Sequence, residues 1–99
     1  MGRSPHHNLQ AFQASAAAER ISVTRTARNS ADELGFGLRG IATTIAAMRS
    51  DMFYKSMESK QNPGQWQDVY HVPSAIGALY VKFTDEGILA FKILSFKRK

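Results

Sequence analysis

The chain has 99 residues, of which 43% are hydrophobic and 10% aromatic, with thirteen Lys and Arg side chains against eight Asp and Glu. This length suits one domain covering residues 1–99, and it excludes an enzyme that needs separate cofactor and substrate domains. The hydrophobic content is that of a globular protein rather than a disordered one. Because there is no cysteine, disulfides, thiolate metal sites and a cysteine nucleophile are excluded.

Charge and targeting signals narrow the class further. The formal net charge of +5 favours a polyanion partner, although ordinary solubilising charge explains it equally well. No apolar run approaches the roughly 20 residues of a membrane-spanning helix, and the N-terminus lacks the apolar stretch of a signal peptide. We therefore expect a soluble, cytoplasmic protein. The three histidines, His6, His7 and His71, lack the spacing of a metal site, so we expect no metal and no cofactor.

The first half of the chain has apolar residues at helical spacing, which predicts three helices. Residues 21–23 separate the first two helical stretches and predict one short strand. Thr24 is the residue type of an N-cap for the second helix, and Gly35 is that of a C-cap, since glycine accepts the left-handed conformation. The apolar stripes are Leu9, Phe12 and Ala16; Ala27, Ala31 and Leu34; and Leu38, Ile41, Ile45 and Met48.

After Asp51 the period of the apolar residues becomes two, which predicts strands. The predicted strands lie near 52–58, 65–71, 77–83 and 88–97. They are joined by short connections with turn residues such as Asn62-Pro63-Gly64, and short connections force neighbouring strands to run antiparallel. We therefore predict an α+β fold in which N-terminal helices pack on one face of a C-terminal antiparallel β-meander.

Alternation within the predicted strands separates a helix-facing side from an open face. The apolar sets that should pack on the helices are Leu79, Val81 and Phe83 in the third strand, and Leu94 and Phe96 in the last. The open face then carries Tyr80, Lys82, Ser95 and Lys97, with Lys55 and Gln67 from the first two strands. The facing of these last two residues is less certain, because Phe53, Met57 and Val69 share their parities.

The open face has lysines, a tyrosine and an amide, but no carboxylate pair and no Ser-His-Asp set. Lysine neutralises phosphate charge, while tyrosine stacks on a base or transfers a proton, so these residue types suit a substrate that is itself a phosphate. A solvated outer face explains the same residues, and the pattern alone favours that second interpretation. Of two further candidates, Trp66 is predicted to lie in the core and His71 to be a surface residue at a strand end.

Two motifs in the first half are similar to nucleotide-binding or DNA-binding sequences. Residues 35–40 match G-x-G-x-x-G, but a helical stripe precedes them where the dinucleotide fingerprint requires a strand, so we predict a helix–helix turn. Residues 24–48 have the pattern of a helix-turn-helix DNA reader, and an alternative function is a non-catalytic nucleic-acid-binding regulator using this segment. Its contacts would be Arg39, Thr43, Thr44 and Arg49.

Four blocks of the strand region resemble the MqsR family, whose members are toxins of type II toxin–antitoxin systems. The blocks are residues 51–57 (DMFYKSM), 66–70 (WQDVY), 78–82 (ALYVK) and 94–97 (LSFK). The N-terminal half resembles the same family through residues 4–6, 24–27 and 31–35. The resemblance therefore covers essentially the whole chain.

The resemblance implies a RelE-like fold and a sequence-selective, ribosome-independent mRNA endoribonuclease that cleaves at GC-containing triplets such as GCU. It also implies a tight complex with an MqsA-like antitoxin. The functional residues of the family fall on Lys55, Gln67, Tyr80 and Lys97, which are residues that the strand alternation assigns to the open face. We therefore predict a metal-independent mRNA interferase.

Each of these residues is given a role by the chemistry of RNA cleavage. Lys55 and Lys97 would stabilise charge, and proton transfer by these lysines is a second role left open. Gln67 would orient the phosphate or ribose, and Tyr80 would transfer a proton. Clustered cations are expected to lower the pKa values of the lysines and of the tyrosine.

The basic end of the chain adds candidate RNA contacts. Lys82 on the open face, together with Arg98 and Lys99 at the C-terminus, is expected to bind the RNA backbone through its phosphates. A third possible class is a pure interaction module, in which the open face serves only as a dock for the antitoxin.

Overall fold

Three α-helices followed by a mostly antiparallel sheet form the computed structural model, which describes residues 4–87 and 90–99. The α+β fold predicted from the periodicity is therefore confirmed. The described part of the chain contains no helix that is long and apolar enough to cross a membrane. In chain order the elements are α1 (Leu9–Ala17), β1 (Ile21–Val23), α2 (Arg25–Glu33), α3 (Leu38–Ala46), a 3₁₀ turn (Ser50–Met52), β2 (Phe53–Glu58), β3 (Trp66–Val72), β4 (Leu79–Asp85) and β5 (Phe91–Arg98).

The strand order of the sheet is β1-β5-β4-β3-β2. Strands β2 to β5 form the predicted meander, each antiparallel to its neighbour. The predicted start of the last strand, residues 88 and 89, lies outside the described residues. The short strand β1 pairs with β5 in parallel, from Ile21 opposite Phe91 to Val23 opposite Ile93. The sequence predicted this strand but not its place in the sheet, because its partner lies near the other end of the chain.

Capping residues explain where the second helix begins and ends. The Thr24 side chain accepts a hydrogen bond from the Ala27 N–H at 3.2 Å, which confirms it as the N-cap of α2. Gly35 follows the end of α2 with a φ of +86°, and its N–H and the next one donate to the carbonyls of Asp32 and Ala31, as in other glycine-terminated helices. Residues 35–37 therefore form the predicted turn between α2 and α3, whereas residues 38–40, predicted to belong to the same turn, are the first residues of α3.

The helices cover one face of the sheet and bury aromatic rings against it. Phe12 of α1 stacks on Phe83 of β4 with ring centroids 3.7 Å apart, and Ile41 and Ile45 of α3 are fully buried. Leu38, predicted to join the same stripe, is instead 56% exposed. The reason is its position at the start of α3, where it lines an open groove beside the short edge strand β1.

Register shifts in two strands decide which side chains face the helices. In β2 the pairing with β3 shifts between Phe53 and Lys55, so Phe53 packs against the core while Lys55 faces the other side. In β5 the pairing with β4 skips Leu94. Ile93 and Phe96 are fully buried, whereas Leu94 is only half-buried and does not belong to the core cluster. The prediction that Leu94 packs on the helices is therefore wrong, because it is the extra residue of a bulge.

Tyr70 is fully buried on the helix side of the sheet, where its ring packs edge-on against Phe53. Within residues 4–87 and 90–99 its hydroxyl has no hydrogen-bond partner. Burial raises the pKa of Tyr70 to about 12, and the nearby Asp68 carboxylate acts in the same direction. A buried hydroxyl without a partner does not stabilise a fold, so the ring of Tyr70 matters to the core and its oxygen does not.

The N-terminal segment is held against β3 by a buried carboxylate. Asp68 is fully buried, and its two oxygens accept hydrogen bonds from the backbone N–H groups of His6 at 3.1 Å and His7 at 2.8 Å. The His6 ring stacks on Trp66 with centroids 3.9 Å apart. Trp66 is half-buried under the N-terminal segment and does not belong to the core cluster, so the prediction that it lies in the core is wrong.

The substitution Asp68→Asn is expected to lower the free energy of unfolding by about 1–3 kcal/mol, because an amide has one acceptor oxygen and one N–H donor loses its partner. Chemical denaturation of the variant and the wild type measures the difference. Asp32→Asn is the control, since the ion pair between Asp32 and Arg28 is solvent-exposed and contributes little. Equal stability of the wild type and Asp68→Asn would show that this carboxylate does not hold the N-terminal segment.

Candidate active site

Polar and charged side chains gather on the face of the sheet away from the helices. Strands β2 to β5 bring them into rows, because residues paired in register lie side by side on the same face. We call this surface the basic face. It comprises Tyr54, Lys55, Gln67, His71, Tyr80, Lys82, Ser95 and Lys97, and so it includes all four residues predicted to be catalytic.

Tyr80 is at the centre of the first row. Its register partners are His71 on β3 and Lys97 on β5. The Lys97 Nζ lies 5.2 Å from the centroid of the Tyr80 ring, within the range of a cation–π contact. The residues on either side of Tyr80, Leu79 and Val81, are fully buried in the core, which confirms the predicted assignment of the two faces of β4.

The second row consists of Lys55, Val69, Lys82 and Ser95. Val69 is fully buried although it lies on the basic face between its register partners Lys55 and Lys82, whose aliphatic stems are suited to covering an apolar side chain. Burial lowers the pKa of the half-buried Lys82, and the charges of Lys97 and Lys55 act in the same direction. Three lysines therefore share a small area of the sheet, and a bound phosphate would relieve their mutual repulsion.

Gln67 lies on the basic face but away from Tyr80. It pairs with Met57 and comes four residues before His71 in β3, which corresponds to about 13 Å along a strand. The second row lies between Gln67 and the first row. The structure therefore brings together three of the four predicted catalytic residues and leaves Gln67 at the edge of the same surface.

The surroundings of Tyr80 keep its hydroxyl protonated. Burial raises the pKa of Tyr80 above its usual value of 10, and the neighbouring Tyr54 acts in the same direction. The expectation that clustered lysines lower this pKa is therefore wrong, because burial of the phenol outweighs the positive charge nearby. A phenol that stays protonated at neutral pH suits the donation of a proton better than its acceptance.

His71 is a member of this surface to which the sequence interpretation gave no role. It is half-buried, and its ring stacks on Tyr54 with centroids 4.1 Å apart and 23° between the planes. Burial lowers the pKa of His71 below its usual value of 6.5, and the charges of Lys99 and Lys55 lower it further. The alternation of β3 places position 71 on the open face and could have identified His71 as a site residue. Its position near the end of the predicted strand instead favoured the interpretation as an ordinary surface residue.

The basic residues at the C-terminus divide between the two sides of the sheet. The backbone N–H of Lys99 donates a hydrogen bond of 2.9 Å to the carbonyl of Ala78, just before β4. The charge of Lys99 lowers the pKa of His71. Arg98 is the register partner of the buried Leu79 and shares its parity. Lys82 and Lys99 therefore adjoin Tyr80 and His71, whereas Arg98 lies on the other side.

The composition of the basic face determines what it can bind. No group of three His, Cys, Asp or Glu side chains within residues 4–87 and 90–99 is arranged to hold a metal ion. Ammonium groups cannot act as metal ligands, but they do bind phosphate. The basic face can therefore bind a phosphate group and place titratable side chains beside it.

We expect the His71 ring to titrate with a pKa below 6.5, and we expect Lys55→Met to raise that pKa, because a positive charge beside the ring is removed. The measurement is an NMR titration of the histidine rings, with the His71 signal assigned by its loss in His71→Gln. Lys60→Met is the control, since Lys60 is exposed in the connection between β2 and β3. A His71 pKa that does not change in Lys55→Met would show that this lysine does not act on the ring.

Two comparisons with known proteins cover almost the whole chain. The family model described as motility quorum-sensing regulator, toxin of MqsA, matches residues 4–98. The mRNA interferase toxin MqsR of Escherichia coli strain K12 is 36% identical over 97 residues, which span 98% of this chain and 97% of that protein. The resemblance inferred from the strand blocks is therefore confirmed, and the chain belongs to the MqsR toxin family.

Proposed function

We propose that the protein is an endoribonuclease, an mRNA interferase that acts as the toxin of a type II toxin–antitoxin system. One observation carries the proposal: Lys55, Tyr80, Lys82 and Lys97 converge on one face of the sheet in a chain of the MqsR toxin family. An open face lined with ammonium groups suits an extended polyanion such as RNA. A small molecule would instead need an enclosed pocket.

In the proposed reaction the ribose 2′-oxygen attacks the adjacent phosphorus, and the bond between the phosphorus and the 5′-oxygen breaks. The products are a 2′,3′-cyclic phosphate and a 5′-hydroxyl. This reaction needs a proton acceptor at the attacking oxygen, a proton donor at the leaving oxygen, and positive charge beside the pentacoordinate phosphate. No step in it requires a metal ion or another cofactor.

The distances on the basic face support a separate role for each residue. Lys97 is next to Tyr80 in the first row, and Lys55, in the second row, is close enough for its charge to act on His71. Both lysines would stabilise the charge of the pentacoordinate phosphate. Tyr80 would transfer a proton. Because Gln67 is a further row away, it would orient the ribose or the neighbouring nucleotide rather than the reacting phosphate.

RNA contacts beyond the reacting phosphate would follow the lysines. Lys82 lies on one side of the first row and Lys99 on the other. Successive phosphates of one bound RNA strand would therefore contact these two lysines. Arg98 has the opposite parity and is not included in this proposed track. The tyrosines offer aromatic surfaces on which bases stack without sequence preference.

The substrate and partner are proposed from the family. The family description names its members as toxins of MqsA, and we propose an MqsA-like antitoxin as the partner of this chain. We further propose that cleavage occurs at GC-containing triplets such as GCU, independently of the ribosome, and in the cytoplasm, where mRNA is found.

The alternative regulator using residues 24–48 receives little support from the described helices. The hydroxyl groups of Thr43 and Thr44 donate to the carbonyls of Arg39 and Gly40 within α3, and Thr44 is buried. A recognition helix needs several exposed polar side chains that reach base edges. In α3 only Arg39 and Thr43 are polar and exposed.

A cleavage assay on a synthetic RNA that contains GCU triplets tests the proposed function. We expect cleavage in the presence of EDTA, with 2′,3′-cyclic phosphate and 5′-hydroxyl ends identified by mass spectrometry. The control is the same RNA with a 2′-deoxy nucleotide at the cleavage site, which removes the attacking oxygen and should abolish the reaction. Cleavage that requires magnesium, or products with 5′-phosphate ends, would contradict the mechanism.

The substitution Tyr80→Phe is expected to lower the single-turnover cleavage rate by about 10²–10⁴, the usual contribution of a proton-transfer group. Its effect on the free energy of unfolding should stay below about 0.5 kcal/mol, since one hydroxyl of a half-buried residue is removed and no cavity is left.

Tyr70→Phe is the matched control for this variant. It removes the same atom from the opposite side of the sheet, so the cleavage rate should not change and the melting temperature should not fall. A Tyr80→Phe variant that cleaves at the wild-type rate would show that this hydroxyl does not transfer a proton. A large drop in its melting temperature would show instead that Tyr80 has a structural role.

A further inference from the structure

RNA cleavage by the proposed mechanism needs two proton-transfer groups, and the assignments so far supply one. Tyr80 is a protonated phenol that suits the leaving oxygen, so the attacking oxygen still lacks a proton acceptor. Lys55 and Lys97 are already assigned to stabilising the charge of the pentacoordinate phosphate, a role that uses the ammonium form, and an ammonium group accepts no proton. The missing group must therefore be a neutral base beside Tyr80.

His71 has the position that this base requires. It is the register partner of Tyr80 on the neighbouring strand, and the centroids of the two rings are 6.0 Å apart. A base and an acid must each come within about 2.6–3.2 Å of an oxygen on opposite sides of the same phosphorus, and one phosphate can bridge two side chains at this separation. Gln67 lies about 13 Å farther along β3 and carries no titratable group.

The neighbours of His71 fix the ring and keep it neutral. From β2, Tyr54 stacks on the ring at 4.1 Å and Lys55 adds positive charge, while Lys99 adds charge from the C-terminus. From β4, Tyr80 faces the ring. Arg49 and Asp51 line the same open pocket as His71, but they pair with each other at 3.2 Å, and the charges that act on the pKa of His71 are those of Lys99 and Lys55. The imidazolium form is therefore not favoured, and stacking limits rotation of the ring.

We propose that His71 is the general base of the cleavage reaction and that Tyr80 is its general acid. This assignment rests on the proposed endoribonuclease function. The imidazole takes the proton from the 2′-hydroxyl as the new bond from the 2′-oxygen to phosphorus forms. The Tyr80 hydroxyl gives its proton to the 5′-oxygen as the bond from phosphorus to that oxygen breaks. Exchange with water then removes the proton from His71 and returns one to Tyr80.

The pKa values of the two groups are displaced in opposite directions, which is how acid and base pairs are separated in other active sites. Burial lowers the pKa of His71 and raises that of Tyr80. At neutral pH the imidazole is therefore free to accept a proton and the phenol holds one to give. The neutral imidazole of His71 and the protonated phenol of Tyr80 are both the main forms over a pH range that extends from below 6.5 to above 10. The cleavage rate should therefore have a broad plateau in its pH profile.

The decisive experiment uses two RNA substrates that differ in one atom. In the second substrate, sulfur replaces the 5′-oxygen at the cleavage site, and a thiolate leaves without needing a proton. With ordinary RNA, His71→Gln and Tyr80→Phe should each lose about 10²–10⁴ in single-turnover rate. With the sulfur substrate, Tyr80→Phe should recover to near the wild-type rate, whereas His71→Gln should stay slow.

Several outcomes would overturn the assignment. Wild-type rates for His71→Gln on ordinary RNA would remove His71 from the reaction and leave the proposed function intact. Recovery of His71→Gln but not Tyr80→Phe on the sulfur substrate would show that the two roles are reversed. No cleavage of ordinary RNA by the wild type would overturn the proposed function, and the assignment with it.

The pH profile of the wild type gives a second test, which the profile of His71→Gln completes. The value of kcat/KM should fall tenfold per pH unit below the pKa of His71 measured by NMR in the free protein. In His71→Gln this acid limb should disappear, while the affinity for a 2′-deoxy RNA that cannot be cleaved should stay unchanged. A wild-type profile without an acid limb at the His71 pKa would overturn the proposal.

Discussion

The bulge between Phe53 and Lys55 lets an aromatic ring pack under the helices while an ammonium group two residues later faces the other side of the sheet. In a regular strand both side chains would share one face, and either a lysine would be buried without a partner or a core ring would be exposed. The bulge at Leu94 has the same effect in β5. Without it, the parity of the buried Ile93 would turn Lys97 toward the helices. Core packing and the basic face are compatible only because each of these strands carries one extra residue.

Partial burial on a surface rich in lysines shifts the pKa values of Tyr80, His71 and Lys82 in the direction that favours each uncharged form. Desolvation disfavours the phenolate of Tyr80 and the cationic forms of His71 and Lys82, so one environment keeps the phenol protonated and makes the imidazole less basic. The charges of Lys55 and Lys99 lower the pKa of His71 further. The nearby lysines do not prevent burial from raising the pKa of Tyr80. A bound phosphate would therefore meet a surface whose groups already hold the protonation states that proton transfer needs.

Local signals in the sequence predicted most of the fold, whereas features that depend on distant residues were missed. Periodicity predicted the helices and the meander. The Thr24 N-cap was predictable because it depends on a hydrogen bond between residues only three positions apart. The pairing of β1 with β5 and the hydrogen bonds from His6 and His7 to Asp68 join residues more than 60 positions apart. The alternation of β4 identified Tyr80, but β5 was misread at Leu94 because alternation cannot reveal a bulge. His71 was overlooked because its neighbours Tyr54 and Lys99 belong to other parts of the chain.

The last strand in the sequence is not an edge of the sheet, since β5 lies between β1 and β4. During synthesis β1 lacks the strand with which it pairs, and Tyr80 lacks the neighbour that Lys97 provides, until β5 has been made. Sheets with such long-range pairing close late in folding. The basic face is therefore complete only when β5 has inserted between β1 and β4, so synthesis of the strands that precede β5 does not by itself create it.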